Sequence, residues 1–390
     1  MQRHHNAQRQ AIGSFRSIDF LLGDSVQSVS EPTLGCFISS HGFGHASRTL
    51  AVLAELQALV PNIRFEIFTN TPYWFLAENI DPRCFTHHDV EVDVGLVQKN
   101  PFQHDLSATL DRLDDFLPLS KPAVDSMAIA LRTKGCRAIL CDISVLGIAV
   151  ANAIGVPSVL LENFTWDWMY EEYLDEMPAF SDSIESFRSI YAQADIHLQT
   201  EPVCNPTDGA LSIPPISRRF RVPREKTRSD LDVLPGEDLI LLTTGGIRGS
   251  YGMLDRLRER SEVRFLLSGS SETLQRDENL IHLPHRSGHH HPDLVRSADA
   301  LVGKAGYGTV AEVRAAGISF AHVLRDGFRE SPVLGDYLEQ QVQGFRLSDS
   351  EFSCGSWMDR LDELLSCPRN DNEKENGACL VASRLLPLLQ

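Results

Sequence analysis

The stretch Ser39-Ser40-His41-Gly42-Phe43-Gly44-His45-Ala46-Ser47-Arg48 sets two histidines around a pair of glycines. Imidazole titrates nearest neutrality of all side chains, so a histidine beside a ligand can take a proton from a reacting group. Glycines at a strand-to-helix junction let a ligand approach the main chain, where the free amides of the next helix face it. His45 falls at that helix start. The helix dipole disfavours an imidazolium there and leaves a neutral ring available as a base. The same residues equally suit a helix cap or a filled turn. The spacing departs from the dinucleotide fingerprint, because Ser47 stands at the third glycine position, and no Gly-Lys-Ser/Thr follows as in a P-loop.

A second cluster is Gly-Lys-Ala-Gly-Tyr-Gly-Thr-Val-Ala-Glu, residues 303–312. A strand delivers Gly303, a loop holds Gly306 and Gly308, and a helix is expected from about Thr309 to Ala316. Such a turn suits a diphosphate. Glu312, near the helix start, could accept hydrogen bonds from the paired hydroxyls of a ribose, or simply complement the helix dipole. Leu-Thr-Thr-Gly-Gly, residues 242–246, is a third glycine turn at a strand end. Ligands of open α/β sheets bind at the carboxyl ends of strands.

Three further stretches have more than one reading. Residues 163–173, NFTWDWMYEEY, join aromatic faces and carboxylates, which suits sugar or acceptor binding and equally a core helix. Residues 285–293, HRSGHHHPD, have metal-like histidine spacing but no acidic or cysteine partner nearby, so no metal site is expected. The basic run at 217–228 reads as a solvated linker, with an anion-binding role as the alternative. EVDV, residues 91–94, is a poor match to the DxD metal motif of GT-A transferases.

These residues need a scaffold that brings strand ends together. GCFIS (35–39) and RFEIFT (64–69) read as strands around a helix over 46–60, whose Leu50, Leu53, Leu56 and Val60 share a face. RAILCD (137–142) and SVLLE (158–162) continue the alternation. It restarts with DLILLTTGG (238–246), RFLLSG (264–269), NLIHLP (279–284), ALVG (300–303) and SFAHVL (319–324). Short apolar strands alternating with helices predict parallel sheets covered on both faces. The chain therefore divides into a weakly ordered lead-in (1–32), a Rossmann-like domain (33–213), a linker (214–225), a second Rossmann-like domain (226–350) and a helical tail (351–390).

The 390 residues carry a net charge of −17, with no basic patch of the kind a nucleic acid requires. Eight scattered cysteines form no CxxC pair, and no apolar run is long enough to span a bilayer, so a cytoplasmic protein is expected. Peripheral membrane contact remains compatible with this composition.

SSHGFGHASR, NFTWDWMYEEY, SRRFRVPREKTRSDL, LTTGG, HPDLVRSADALVGKAGYGTVAEVRAAG and RDGFRESPVL occur in that order. Together they resemble the glycosyltransferase-like domain at the amino end of plant L-arabinokinases and its stand-alone bacterial relatives. More distantly the chain is similar to GT-B nucleotide-sugar enzymes: the lipid-linked GlcNAc transferase of peptidoglycan synthesis, plant UDP-glycosyltransferases and the UDP-sugar hydrolase of pseudaminic acid synthesis. The resemblance spans about residues 34–340. No galactokinase-type half is present in these 390 residues, so arabinokinase activity is not expected of them.

The resemblance implies a GT-B fold: two Rossmann-like domains with parallel sheets facing a central cleft. It places the donor diphosphate on Lys304, Gly306, Tyr307, Gly308 and Thr309, with Gly42 and Gly44 opposite, and the ribose on Glu312. Thr244, Gly245 and Gly246 would close on the phosphates, and Glu330 lies where relatives hold sugar hydroxyls. His45 matches the general base, with Asp142 as its supporting acid. His41, Trp166 and Asp167 fall on the acceptor side. The expected activity is inverting, metal-independent transfer from a nucleotide diphosphate sugar, most simply a UDP-sugar, to an acceptor, with no cofactor. Gly42 to Arg48 resembles the hydrolase's motif equally well, so hydrolysis of the same donor is one alternative, and non-catalytic binding of a sugar nucleotide is another.

Overall fold

The computed structural model describes residues 31–100, 103–243, 252–372 and 374–390. The lead-in before residue 31 and the Thr244-Gly245-Gly246 turn lie outside the described residues. In chain order the strands are β1 (Thr33–Ile38), β2 (Arg64–Phe68), β3 (Phe85–His88), β4 (Gln98–Asn100), β5 (Gln103–His104), β6 (Cys136–Asp142), β7 (Ser158–Glu162), β8 (Ile196–Thr200) and β9 (Leu211–Ile213). They continue with β10 (Asp238–Thr243), β11 (Val263–Ser271), β12 (Gln275–Asp277), β13 (Leu280–Pro284), β14 (Ala300–Lys304), β15 (Ser319–Val323) and β16 (Gly344–Leu347).

Two seven-stranded sheets result, ordered β3-β2-β1-β6-β7-β8-β9 and β12-β13-β11-β10-β14-β15-β16. Every pairing in the first is parallel. In the second only β12 runs antiparallel, against β13. Helices cover both faces, so the strands are buried on both sides and read as continuous apolar runs. In β1, Leu34, Cys36 and Ile38 enter one core cluster while Phe37 enters the opposite one. The second sheet likewise separates two clusters, around Leu239 and Leu241 on one face and Ile240 and Leu242 on the other.

Both motif helices begin earlier than the sequence pattern predicts. The first runs Phe43–Leu59, so Gly44 and His45 lie inside its first turn. Gly42 is the cap residue, at φ 86°, a conformation open to glycine and strained for other residues. Apolar periodicity starts only after His45, because the first turn faces the cleft rather than the core. The second helix runs Tyr307–Ala316, with Gly306 as its cap.

The last forty residues divide between the two sheets. Trp357, Met358, Leu361 and Leu364 pack under the second. The final helix, Gly377–Leu385, returns to the first, where Ala378, Val381, Ala382 and Leu385 join Leu34 and Leu50.

The linker is solvated only in part: Arg219, Arg221 and Lys226 are exposed, yet several of its basic residues are paired. Arg218 binds Glu312 and Asn79, Arg219 binds Glu55, and Arg224 binds Asp299. The main-chain amide of Arg221 donates to Asp293 at 2.8 Å. Its basic residues thus tie the connection to both domains.

Candidate active site

The two glycine motifs meet. A side chain begun at Gly308 would lie 3.6 Å from the Gly44 Cα, so the first turns of helices Phe43–Leu59 and Tyr307–Ala316 abut. Beside this contact lies a cavity of about 540 Å³, walled by both domains. Its wall includes His41, Gly42, Gly44 and His45 from the first domain, and Lys304, Gly306, Tyr307, Gly308, Thr309, Glu312 and Glu330 from the second.

On the first wall, one carboxylate gathers three side chains of a single helix. Asp142 ends β6. Its Oδ1 lies 2.7 Å from His45 Nδ1, while Arg48 Nε and Thr49 Oγ1 both donate to Oδ2 at 2.7 Å. His45, Arg48 and Thr49 stand at i, i+3 and i+4, which puts them on one helix face. Arg48 also donates to Asn163. Burial pushes the Asp142 carboxyl up, but the Arg48 guanidinium and His45 outweigh it and hold it down at about 2. An ionised carboxylate can only accept, so the shorter contact makes Nδ1 of His45 the donor to Asp142, with Arg48 Nη2, itself a donor, crowding the same nitrogen at 3.0 Å. Nε2 is then left as a lone-pair acceptor, with no protein partner among the described residues. The His45 side chain is 11% exposed.

His41 stands edge-on to Trp166 at 5.3 Å between ring centroids. Burial, aided by His45, Arg325 and Lys304, lowers it to about 3, so it is neutral near pH 7. The Trp166 indole donates to Asp93 at 2.9 Å, and burial raises the Asp93 carboxyl to about 6. Trp166 reaches the cavity but is mainly core, at 1% exposure. Asp167 is placed outside the cavity wall, facing Arg188 at 3.6 Å.

On the opposite wall, Lys304 ends β14 just before the Gly306 turn. It has no ion-pair or hydrogen-bond partner among the described residues, and burial, reinforced by Arg325, lowers it to about 8. Gly306 has φ −140°, and a side chain there would meet nothing within 4 Å, so its main chain faces open cavity. Glu312 is buried with both oxygens engaged: Oε1 accepts from Arg218 Nη2 at 2.7 Å and Oε2 from His291 Nδ1 at 2.7 Å. Burial raises its carboxyl, but Arg218 and His291 prevail and hold it at about 2. A ribose would have to share or replace these partners. Glu330 binds Arg325, whereas the hydroxyl of Ser331 turns away to the Arg325 carbonyl at 2.6 Å.

Sequence reasoning missed Arg48, Thr49, Arg218 and Arg325. The first two were detectable, since their helical spacing from His45 is explicit in the motif. Arg218 was hidden inside a run of arginines with no helical or strand period. Among the described residues no three His, Cys, Asp or Glu side chains gather as a metal site, the 285–291 histidines included.

Sheet order, the facing glycine turns and the shared cavity define a GT-B glycosyltransferase fold. SnogD, a glycosyltransferase from Streptomyces nogalater, superposes with a TM-score of 0.58 at 17% identity, covering 92% of this chain and 100% of that one. The calicheamicin glycosyltransferase CalG4 gives 0.61 at 13% identity, covering 92% and 98%. UGT89C1 of Arabidopsis thaliana, solved with UDP, gives 0.58 at 15% identity, covering 92% and 99%. In sequence, the chain is similar to L-arabinokinase of Arabidopsis thaliana, 25% identical over 335 residues. The match takes in 85% of this chain and 32% of that protein, so the chain spans about a third of the curated relative's length. No family model matches the chain. No helix among the described residues is long and apolar enough to cross a membrane.

Proposed function

We propose that this chain is an inverting, metal-independent glycosyltransferase that uses a nucleotide diphosphate sugar, most simply a UDP-sugar. One observation carries the reading. A histidine oriented by a buried carboxylate shares a cavity with a lysine and an open glycine turn, and among the described residues neither its Nε2 nor the lysine has a side-chain partner.

The acceptor O–H gives its proton to His45 Nε2 as its oxygen bonds to the anomeric carbon from the face opposite the diphosphate. The bond from that carbon to the diphosphate breaks, and its electron pair leaves with the nucleotide. Asp142 keeps the His45 ring in the right tautomer and faces the imidazolium that forms. Lys304 and the amides at the start of helix Tyr307–Ala316 meet the charge on the leaving group. These groups supply the compensation that a metal ion gives in other transferases. The similar structure of UGT89C1, solved with UDP, supports the same class of donor.

A thermal-shift panel of UDP-, dTDP- and GDP-sugars tests the reading. A true donor at a hundredfold excess over Kd stabilises the fold by about 2.7 kcal/mol. A panel in which no sugar nucleotide shifts the melting temperature refutes it.

A further inference from the structure

Arg48 follows His45 by three positions on the same helix, and its guanidinium is bound from two strands. Nε donates to Asp142 Oδ2 at 2.7 Å and Nη2 donates to Oδ1, the two-point geometry of a guanidinium–carboxylate pair. Nη2 also reaches the Leu161 carbonyl of β7 at 3.4 Å, and Nη1 donates to Asn163 Oδ1. Asn163 is fixed in turn, since its side-chain amide donates to the Thr200 carbonyl at 2.6 Å. The Arg48 side chain is 6% exposed and that of Asp142 is fully buried. Arginine keeps its proton in proteins, so a permanent cation is clamped here.

The clamp changes what Asp142 can do for the base. Arg48 Nη2 lies 3.0 Å from His45 Nδ1, in contact with the ring that Asp142 orients. A carboxylate alone beside an imidazole favours the imidazolium. A carboxylate matched by a guanidinium orients the ring with that bias cancelled.

Other titratable groups surround the ring. His41, in the turn, is neutral near pH 7. Asp93, on the loop after β3, is raised by burial to about 6 and accepts from the Trp166 indole. From the second domain, Lys304 and Arg325 share the cavity wall, and Arg325 is paired with Glu330. Tyr307, whose hydroxyl lies 2.9 Å from Cys204 Sγ, is pushed upward by burial and keeps its proton.

Donor binding adds to this balance. In the transfer proposed above, an ionised diphosphate rests at Lys304 and the Gly306 turn, in the cavity that His45 shares. Negative charge there favours the imidazolium, and a base already protonated cannot take the acceptor proton. A fixed cation in contact with the other side of the ring opposes that protonation.

We infer that Arg48 is a positioning residue for the transfer: besides clamping Asp142, it is the permanent cation that keeps His45 unprotonated once the anionic donor occupies the cleft. This inference rests on the donor reading above.

The test follows the His45 ring signal by NMR in the whole chain, with ring-labelled histidine and saturating UDP, across the titration range of imidazole. The His45 signal is the one missing from His45→Ala. Arg48→Met should move its midpoint upward by about one pH unit or more, because a like charge at contact distance is gone. Arg48→Lys keeps the cation and loses the fork, so its midpoint should stay below that of Arg48→Met. A merely structural arginine would lower stability and leave the midpoint in place. Because Arg48→Met strands a buried carboxylate, the same charge is also read in a neutral background. There, Asp142→Asn combined with Arg48→Met should titrate about one pH unit above Asp142→Asn alone. Equal midpoints in that pair, or a lower one without Arg48, overturn the inference, while bound UDP leaves the donor reading standing. A chain that binds neither UDP nor any UDP-sugar overturns both.

Discussion

His45 and Asp142 lie 97 positions apart in sequence, yet Nδ1 of one is 2.7 Å from Oδ1 of the other. The contact exists because β1 and β6 are neighbours in the sheet, with Ile38 registered against Asp142. The helix leaving β1 therefore starts over the end of β6. Fold topology, rather than any local motif, makes the pair.

Asp142→Asn should keep the shape of the site while removing the charge that Arg48 and His45 face. Breaking a buried pair by changing one partner costs about 3–5 kcal/mol. Chemical denaturation should show that loss, and turnover should fall further than in a surface control of equal stability. A variant of unchanged stability would mean that Arg48 has another counter-ion.

Asp142 and Glu312 are each held at about 2, below the ordinary carboxylate range. A depressed folded-state value stabilises the fold above the unfolded pKa, and that contribution is lost as pH falls through the folded value. Stability should therefore drop between about pH 4.5 and 2, by on the order of 2 kcal/mol for each group. Glu312→Gln should flatten that decline in acid titrations followed by circular dichroism. An unchanged slope would contradict the assignment.

Gly306→Val should abolish donor binding in a folded protein. A Cβ there meets no heavy atom within 4 Å and φ is −140°, so the first atom of the added side chain enters open cavity without backbone strain. Gly308 is a less clean test, because a side chain there touches Gly44 across the domain contact. Calorimetry with a UDP-sugar decides. Retained affinity would place the diphosphate elsewhere.

Lys304 is lowered to about 8, so in the free protein it is cationic below that pH and neutral above it. Affinity for UDP should accordingly weaken as pH rises through about 8 and beyond. Lys304→Met should weaken UDP and inorganic pyrophosphate alike at neutral pH, and the difference from the natural chain should shrink as pH rises well above 8. Glu312→Gln should weaken a UDP-sugar more than pyrophosphate, by about 1.5–3 kcal/mol, because its proposed contact is to hydroxyls. Parallel losses for both ligands would remove the ribose assignment.

Much of this molecule can be read from its residues, for identifiable reasons. Strands such as 137–142 and 158–162 stand out because burial on both faces leaves unbroken apolar runs between turn residues. The glycine turns stand out because few other residues suit them. Gly306 and Glu312 are conspicuous in one dimension, but the Arg218 bound to Glu312 is not, since it lies 94 positions away in an irregular segment. The first helix start was misplaced because cleft-facing residues such as Gly44 and His45 carry no apolar period. The aromatic stretch 163–173 suits a core helix as well as a ligand platform, and most of it is core; composition alone does not separate the two. Asp167 illustrates this, since one helical step turns it from the cavity toward Arg188.

The central claim is that His45 takes the acceptor proton while the donor is held mainly by the second domain. The most direct test compares His45→Ala with the natural chain, measuring donor affinity by calorimetry and turnover as UDP release. The account predicts nearly unchanged affinity and a fall in turnover of about 10²–10⁴-fold, the usual contribution of a general base. Unchanged turnover in His45→Ala, or a comparable fall in His41→Ala alone, would contradict it.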